Sequence, residues 1–565
     1  MIRCTHAPAV DVKIPPSGQK LRGGYYTPAV IAEFLARWAI RSGDDTVLEP
    51  SAGDGAFLVA AAKQLRLRGG QFASITGVEI DPDAASASRA AVSDSPGANV
   101  HTGDFFEWAA RSVIEGRRFD AILGNPPFLR FAYFEEKHRD IAFDLMRREG
   151  MRPTRLTNAW VPFLVASSAL LEPNGRLAMV VPAELLQVSY AAELRQYLAD
   201  RFERVTLFAF DRLVFEGIQQ EVVLLTAERT APAPRGIRVV ELSDASELSD
   251  GYHAWEAVPV RPLDHSSEKW TRYFLEPEEL ELVRALAGHR LLQPLGSFAE
   301  VDVGVVTGMN DFFVMDANGT THPDLKAQSV PVITRSNQLV GASVTPEDWQ
   351  EQVEAGKARV LLALNEGMDP SGVVADYIAM GERRKVHLGY KCSIRRKWWV
   401  VPSIWRPSGF MLRQIHVHPK LVMNTTPATS TDTVHRVAFN YPRPEAVVAS
   451  FHNVMTFLFA EIMGRSYGGG VLELEPSEAE SLPIVHPDSA PEFHEVDAAL
   501  RSGDPSQALD VGAPALASLG LSPSDEATLR VAWERLRGRR SRRGRTRGAK
   551  QLRGPSTVVG VADRP

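Results

Sequence analysis

The sequence predicts an α/β protein, with a doubly wound parallel-sheet domain at the front of the chain and a mixed α/β domain behind it. Three observations predict this. From Gly23 to about Arg229, short apolar runs rich in β-branched residues alternate with helix-like stretches. The first such run, DTVLEP, empties into a glycine turn, SAGDG, and then into the helix-like GAFLVAAAKQLRLR. After Gly236 the texture changes to shorter strands broken by many Pro and Gly turns.

Each element has its own local cause. Residues 1–22 read as an arm. SITGVEID is a second strand and the Ala-rich DAASASRAAV a second helix. NVHTGDFF and FDAILGN are two further strand ends. NAWVPFLVASSALLEPNG reads as a helix with a Gly stop, and RLAMVVPAELL as a strand and loop. RVTLFAFDRLVF and EVVLLTAER look like a closing hairpin. APAPRG, Ala231 to Gly236, is a linker by composition. The expected domains are therefore 23–230 and 237–487, followed by a helical segment over 488–533. The remaining residues, 534–565, open with RLRGRRSRRGRTRGAK and read as a disordered tail able to touch nucleic acid without specificity.

The bulk composition narrows the function classes. The chain has 565 residues, 44% of them apolar, enough to bury real cores. Its two cysteines, Cys4 and Cys392, exclude a disulfide framework and a cysteine-based zinc cluster, and suit the reducing cytoplasm. The first twenty residues lack the apolar core of a signal peptide. The longest apolar stretch, from Val447, contains His452, Asn453 and Glu461, and reads as a buried helix rather than a membrane span. The net charge of -6 does not suggest nucleic acid, but its distribution does. From Arg383 to Lys420 there is no Asp or Glu, while Arg383, Arg384, Lys385, Lys391, Arg395, Arg396, Lys397, Arg406, Arg413 and Lys420 are interleaved with Tyr390, Trp398, Trp399, Trp405 and Phe410. Cations laced with aromatics point to phosphate binding with stacking or wedging side chains.

Three successive strand ends outline a cofactor pocket. Gly53 and Gly55 lie between strand and helix, where glycine permits a tight turn and close approach of backbone to a ligand. Glu79 ends the next strand, the position at which a dinucleotide fold holds two ribose hydroxyls. Asp104 ends the third, placed to accept from an exocyclic amine. Together they read as an adenosine pocket. The Gly-Lys-Ser or Gly-Lys-Thr of a phosphate-binding loop is absent from SAGDGAFL.

The fourth strand end supplies the chemistry. Asn125-Pro126-Pro127-Phe128 cannot extend a helix, because neither proline has a backbone donor. It reads as a stiff loop. A planar amino group is a poor nucleophile because its lone pair is delocalised. Two acceptors, the Asn125 side-chain oxygen and the Pro126 carbonyl, favour a pyramidal nitrogen with an available lone pair. The prolines hold those acceptors rigid, and Phe128 offers a face for a base to stack on. A sulfonium methyl donor over the glycine loop completes an in-line transfer that needs no metal.

At these residues the chain resembles the TaqI-type, gamma-class adenine-N6 DNA methyltransferases. The resemblance rests on Gly24-Tyr25-Tyr26-Thr27-Pro28, Glu49-Pro50-Ser51-Ala52-Gly53-Asp54-Gly55, Glu79, Asp104 and Asn125-Pro126-Pro127-Phe128, in that order. It covers about Gly23 to Pro483 and is looser after Arg229. It implies a Rossmann-like class I methyltransferase domain that uses S-adenosylmethionine, followed by a C-terminal mixed α/β target-recognition domain that binds double-stranded DNA. Thr27 and Pro28 would close over the amino-acid end of the cofactor, with Glu49 and Pro50 in the same binding loop. Glu79 would hold the ribose and Asp104 the adenine, with Ile80 and Phe105 flanking that ring. Phe215 would sandwich a flipped base with Phe128, where many members carry Tyr in place of Phe128. In the second domain VDVGVVTGMNDFFV and GRSYGGGVLELEPSEAESLPI resemble segments of such enzymes and of restriction specificity subunits. Arg395, Arg396, Lys397 and Trp398 would contact DNA, and Gly468 and Gly469 would allow a close approach to its backbone. The implied setting is a restriction-modification or phage-defence system, with a cognate endonuclease or specificity subunit as a possible partner.

Two rivals share the acceptor motif. Protein glutamine N5-methyltransferases also use Asn-Pro-Pro-aromatic, but resemble a small domain without a long basic, aromatic C-terminal part. RNA base N-methyltransferases are nearer, since the acceptor chemistry is similar. No nuclease activity is expected: Pro323-Asp324 has no Glu-x-Lys partner close by.

Overall fold

A computed structural model describes residues 27–551 apart from 71–73, 130–134, 155–156, 213, 215–220, 233, 250–253, 264–268, 320–321 and 468–469; for residues 543–551 it describes the backbone alone. The chain divides into two compact units, one ending at Trp270 and one beginning at Thr271.

The first unit is built on one eight-stranded sheet. Helix α1 (Ala29–Ala39) precedes β1 (Val47–Glu49), and α2 (Ala56–Leu67) follows it. Then come β2 (Ile75–Glu79), α3 (Pro82–Ala91), β3 (Ala98–Thr102), α4 (Phe105–Ile114) and β4 (Phe119–Gly124). Helices α5 (Glu136–Arg148) and α6 (Trp160–Ala169) lead to β5 (Leu171–Pro182), and α7 (Ala192–Arg201) to β6 (Arg204–Phe210), β7 (Val222–Glu228) and β8 (Gly236–Leu242). The strand order is β3-β2-β1-β4-β5-β7-β6-β8. Neighbours from β3 to β5 are parallel, while β7 runs antiparallel to both β5 and β6. The order reverses between β1 and β4, and ligands of open α/β sheets bind outside the carboxyl ends of strands at such a point.

The alternating pattern thus becomes a doubly wound sheet with an antiparallel hairpin. Two local readings change. No Gly stop ends α6: the helix closes at Ala169 and the chain enters β5 at Leu171, ahead of Glu172-Pro173. APAPRG is not a domain boundary. Gly236 to Leu242 pairs in parallel with β6 along its whole length, and the Arg204 guanidinium holds the intervening turn through the carbonyls of Pro232 and Pro234. A Cβ at Gly236 would stand 2.1 Å from the Arg261 carbonyl oxygen, so only glycine lets Arg261 close on this strand. The first unit therefore runs past Gly236 to Trp270.

The second unit holds a five-stranded sheet in the order Ala299–Asp302, Val434–Phe439, Gly409–Leu412, Leu421–Asn424 and Ser343–Val344. A four-stranded sheet contains Val314–Asp316, Arg359–Leu362, Ser329–Ile333 and Thr429–Ser430. Five of its helices matter below: α8 (Gly372–Arg383), α9 (Tyr390–Ser393), α10 (Pro444–Phe451), α11 (Val454–Met463) and α12 (Pro523–Gln551). The long apolar stretch is the bent pair α10 and α11, buried almost throughout, and no single described helix is long and apolar enough to cross a membrane.

The Arg-rich segment departs most from expectation. Residues 534–551 continue α12 rather than forming a disordered tail. The cause lies in the arginines themselves. Arg535 pairs with Glu276 and Glu279, the Arg539 guanidinium lies over the Phe274 ring, and Arg540 is buried against Glu461.

Candidate active site

The glycine loop leaves the end of β1. Gly53 has φ +54° and Gly55 φ +90°, both left-handed values that favour glycine. A Cβ at Gly53 would meet nothing within 4 Å, so the backbone there faces open space. The loop is held from below: Ser88 on α3 donates to the Gly53 carbonyl at 2.7 Å, and Ala52 N donates to the Val78 carbonyl at 2.9 Å.

Three carboxylates lie along these strand ends. Glu79 accepts from Gly53 N at 2.8 Å and from Asp81 N at 2.9 Å, so it is fixed against the loop. Asp104 is buried and caps α4, accepting from Glu107 N at 3.0 Å. Its carboxyl is raised above the usual carboxylate range, chiefly by burial, with the Glu107 amide and the nearby His138 opposing. Glu49 ends β1 at 2% exposure, and its Oε2 has no hydrogen-bond partner among the described residues. Burial raises its pKa well above the ordinary value, and Asp54 and Glu79 add to the rise. A buried carboxylate oxygen of this kind fits a cationic group on a ligand.

The acceptor loop leaves the end of β4, the strand beside β1. Close approach is required there: a Cβ on Gly124 would lie 3.3 Å from Pro50 Cδ. Ser51 Oγ donates to the Asn125 carbonyl at 3.1 Å, joining the two loops. Asn125 Nδ2 donates to Thr27 Oγ1 at 3.2 Å, which fixes the plane of the amide. Ala159 N, at the start of α6, donates to the Leu129 carbonyl at 2.8 Å and anchors the far side of Pro126-Pro127-Phe128. Phe128 is half-buried, packed against the core of the first unit.

The structure thus brings Thr27, Glu49, Pro50, Gly53, Gly55, Glu79, Asn125 and Phe128 to neighbouring loops at the switch point. Pro28 stands just before α1, where its carbonyl accepts from Ile31 N at 3.0 Å. Ile80 is exposed at the end of β2. Phe105 is buried, stacked 5.0 Å from Phe163. Phe215, Gly468 and Gly469 lie outside the described residues. Sequence reasoning quoted Ser51 in the glycine-loop motif without assigning it a role, and gave Thr27 a cofactor role alone. Nothing in a linear reading pairs residue 27 with residue 125.

In the second unit three residues read as DNA contacts turn inward. Arg395 donates to the carbonyls of Val306 at 3.0 Å and Thr307 at 2.8 Å, and Lys397 to those of Glu366 at 2.7 Å and Met368 at 3.1 Å. Trp398 packs on Phe312 at 5.4 Å. These carbonyl and aromatic contacts tie the side chains into the domain. Arg396 remains exposed. Among the described residues, no group of three His, Cys, Asp or Glu side chains is arranged to hold a metal.

Comparison with known proteins bears on both units. Residues 14–253 match the N-6 DNA methylase family, and residues 267–516 match the C-terminal domain of the type II methyltransferase M.Eco57I. The first of these matches is an N6-adenine DNA methyltransferase domain, and the second is the C-terminal domain of a type II methyltransferase. Two type II methyltransferases align with this methyltransferase over most of both chains. M.XamI of Xanthomonas campestris pv. amaranthicola is 23% identical over 494 residues, 85% of this chain and 88% of the relative. M.AccI of Acinetobacter calcoaceticus is 20% identical over 488 residues, 80% and 83% respectively. The fold of the methyltransferase is like that of the type IIL restriction-modification enzyme MmeI, solved in complex with DNA, with a TM-score of 0.52 at 13% identity over 94% of this chain and 73% of that one.

Proposed function

We propose that this methyltransferase is a site-specific, gamma-class enzyme that methylates N6 of an adenine flipped out of double-stranded DNA, with S-adenosylmethionine as donor. We place it in the cytoplasm as the modification component of a restriction-modification or phage-defence system, working beside a cognate endonuclease or specificity subunit. The observation that carries the reading is the junction of two loops at one topological switch point. The open glycine loop of β1 and the Asn125-Pro126-Pro127-Phe128 loop of β4 are tied through Ser51 and Asn125.

When bound, the cofactor supplies an electrophilic sulfonium methyl group. Gly53 leaves room for it over the backbone, Glu79 takes the ribose hydroxyls, and Asp104 takes the adenine amino group. Glu49 receives the α-ammonium, which suits a buried carboxylate oxygen with no hydrogen-bond partner among the described residues. Asn125 Oδ1 and the Pro126 carbonyl accept the two hydrogens of the target amino group. Thr27 fixes the amide plane and the prolines fix the backbone, so neither acceptor has to reorganise during transfer. Phe128 stacks on the extruded base, with Phe215 assigned to its other face, which offsets part of the few kcal/mol that flipping costs. Sequence recognition falls to the second unit.

The test offers duplex DNA, structured RNA and a release-factor protein to the chain with labelled S-adenosylmethionine, and then digests each product. Label in N6-methyladenine from DNA is the expected result, and mapping the modified sites gives the recognition sequence. Label in RNA or in glutamine would overturn the assignment of substrate.

A further inference from the structure

Between α8 and Trp398 the chain turns sharply through Lys385, at φ +59°, then makes a single turn at Val386–Leu388 and the short helix α9. This segment has two faces. Its inward residues are locked. Val386 and Cys392 are fully buried, Trp398 packs on Phe312, and Arg395 grips the carbonyls of Val306 and Thr307. Gly308, at φ +86°, lets the 301–314 segment pass directly beneath α9, since a Cβ there would lie 2.9 Å from Lys391 Cβ.

Its outward residues are large and apolar. Leu388 is 63% exposed, Tyr390 73% and Ile394 64%. Looseness does not explain this, because their neighbours in sequence are anchored in the core. Exposed cations flank them in sequence: Arg383, Arg384, Lys385, Lys391 and Arg396. The Lys391 ammonium lies 5.6 Å from the Tyr390 ring. Glu382, the acid nearest in sequence before Arg383, accepts from the Trp398 indole at 3.4 Å. No Asp or Glu then occurs as far as Lys420. Several exposed apolar side chains on a rigid segment mark an interaction surface, and the cations around them select a polyanion. An apolar tip ringed by Arg and Lys is how proteins wedge between base steps while holding the adjacent phosphates.

We propose that the tip formed by Leu388, Tyr390 and Ile394 is a DNA wedge: it inserts between base steps of the duplex while Lys385, Lys391 and Arg396 bind the flanking phosphates. The inference rests on the DNA-methyltransferase reading and extends it, since a duplex already unstacked gives up its target adenine more easily.

The full-length chain tests this with a 30-base-pair duplex carrying donor and acceptor dyes at its ends and with anionic phosphatidylserine vesicles as the rival surface. In the wild type, binding should bend the DNA and change energy transfer. The triple variant Leu388→Ser/Tyr390→Ser/Ile394→Ser should bind about tenfold more weakly or worse and lose the bend, while keeping the salt slope. The variant Lys385→Gln/Lys391→Gln/Arg396→Gln should reduce the salt slope by about 2.7, at roughly 0.9 per phosphate contact. All six side chains point outward, so both variants should melt and bind S-adenosylmethionine as the wild type does. A triple Ser variant that bends and methylates DNA like the wild type overturns the wedge and leaves the enzymatic reading standing. A wild type that bends DNA but methylates no adenine keeps the wedge and sinks the enzymatic reading instead. Vesicle binding that is lost with the tip while DNA binding persists would make the surface a membrane contact and also overturn the wedge.

Discussion

Arg540→Met tests whether the Arg-rich segment is part of the fold. Arg540 lies on α12 with its side chain 2% exposed, facing Glu461 on α11 at 4%. Its Nε and Nη2 reach the two carboxylate oxygens at 3.0 and 2.7 Å, a side-on pair. Its Nη1 donates to the carbonyls of Ile415 at 3.1 Å and His416 at 3.2 Å, and also to that of Gly470. Methionine keeps most of the stem but leaves a carboxylate buried inside the apolar sequence VMTFLFAEIM with no cation. Removing one partner of a buried pair costs about 3–5 kcal/mol. A unit of this size loses roughly 2 °C of melting temperature per kcal/mol, so the transition of the second unit should fall by about 6–10 °C. Calorimetry on the full chain reads this directly. Glu461→Gln combined with Arg540→Met should recover at least half of the loss, because the buried charge is then gone. Ending the chain at Gly538 should destabilise at least as much as Arg540→Met. A single Arg540→Met variant that melts within a degree of the parent would refute the docking of α12 through this pair.

Three further outcomes follow from the active site. Asn125→Ala should lower the rate of methyl transfer by about 10²–10³ or more in single-turnover assays, with cofactor affinity near normal, because one pre-organised acceptor is lost. Gly53→Ala should weaken S-adenosylmethionine binding measured by calorimetry and cost about 1–2 kcal/mol of stability, since alanine must adopt the left-handed conformation and its Cβ enters the open space over the loop. The Glu49 pKa is raised in the folded chain, so this group's contribution to stability is full below about 4.5, the ordinary value, and is lost as pH rises from there through the raised value. Glu49→Gln should therefore flatten the decline of melting temperature with pH in that window for the cofactor-free protein. In the wild type, a cofactor ammonium would favour the ionised carboxylate, and binding should release a proton, detected as a dependence of the binding heat on buffer ionisation enthalpy. Glu49→Gln should abolish that release.

Much of the first unit was legible because its chemistry sits at strand ends, where a few residue types have only one physical use. Gly53 and Gly55 needed left-handed backbone, and Asn125-Pro126-Pro127-Phe128 could only be a stiff loop. The parallel order then made β1 and β4 neighbours, which no local pattern states. Side-chain direction was not legible in the basic run. Arg395 turns inward and Arg396 outward, one residue apart, on turns too short to show a helical period. The end of the chain is a different failure. Leu529, Ala532, Trp533, Leu536 and Arg540 recur at spacings of three, one, three and four and form the buried face of α12. That stripe was visible, but the Arg and Gly composition outweighed it, and an arginine was not counted as a core residue. A buried arginine is possible here because Glu461 waits inside an otherwise apolar helix, and the composition of the tail alone does not contain that information.

The restraints on Asn125 suggest how chemistry and specificity are divided in this chain. The residue is held by Thr27 from before α1 and by Ser51 from the glycine loop, while Leu129, beyond the prolines, is held by Ala159 at the start of α6. These contacts come from segments far apart in sequence that only the parallel sheet brings together. Ser51 belongs to the loop that also carries Gly53, so a change that moves the glycine loop also pulls on Asn125. Such a site has little freedom to change its target without losing its rate. Variation in the sequence recognised must then be carried elsewhere, on surfaces whose substitution leaves these hydrogen bonds intact. The second unit provides such a surface. Its inward residues, Arg395, Lys397 and Trp398, preserve the platform, while Leu388, Tyr390, Lys391 and Arg396 can change at little cost to folding. Substitutions at Lys391 and Arg396 should therefore alter DNA affinity at nearly constant single-turnover rate, whereas substitutions at Thr27 or Ser51 should alter the rate at nearly constant DNA affinity.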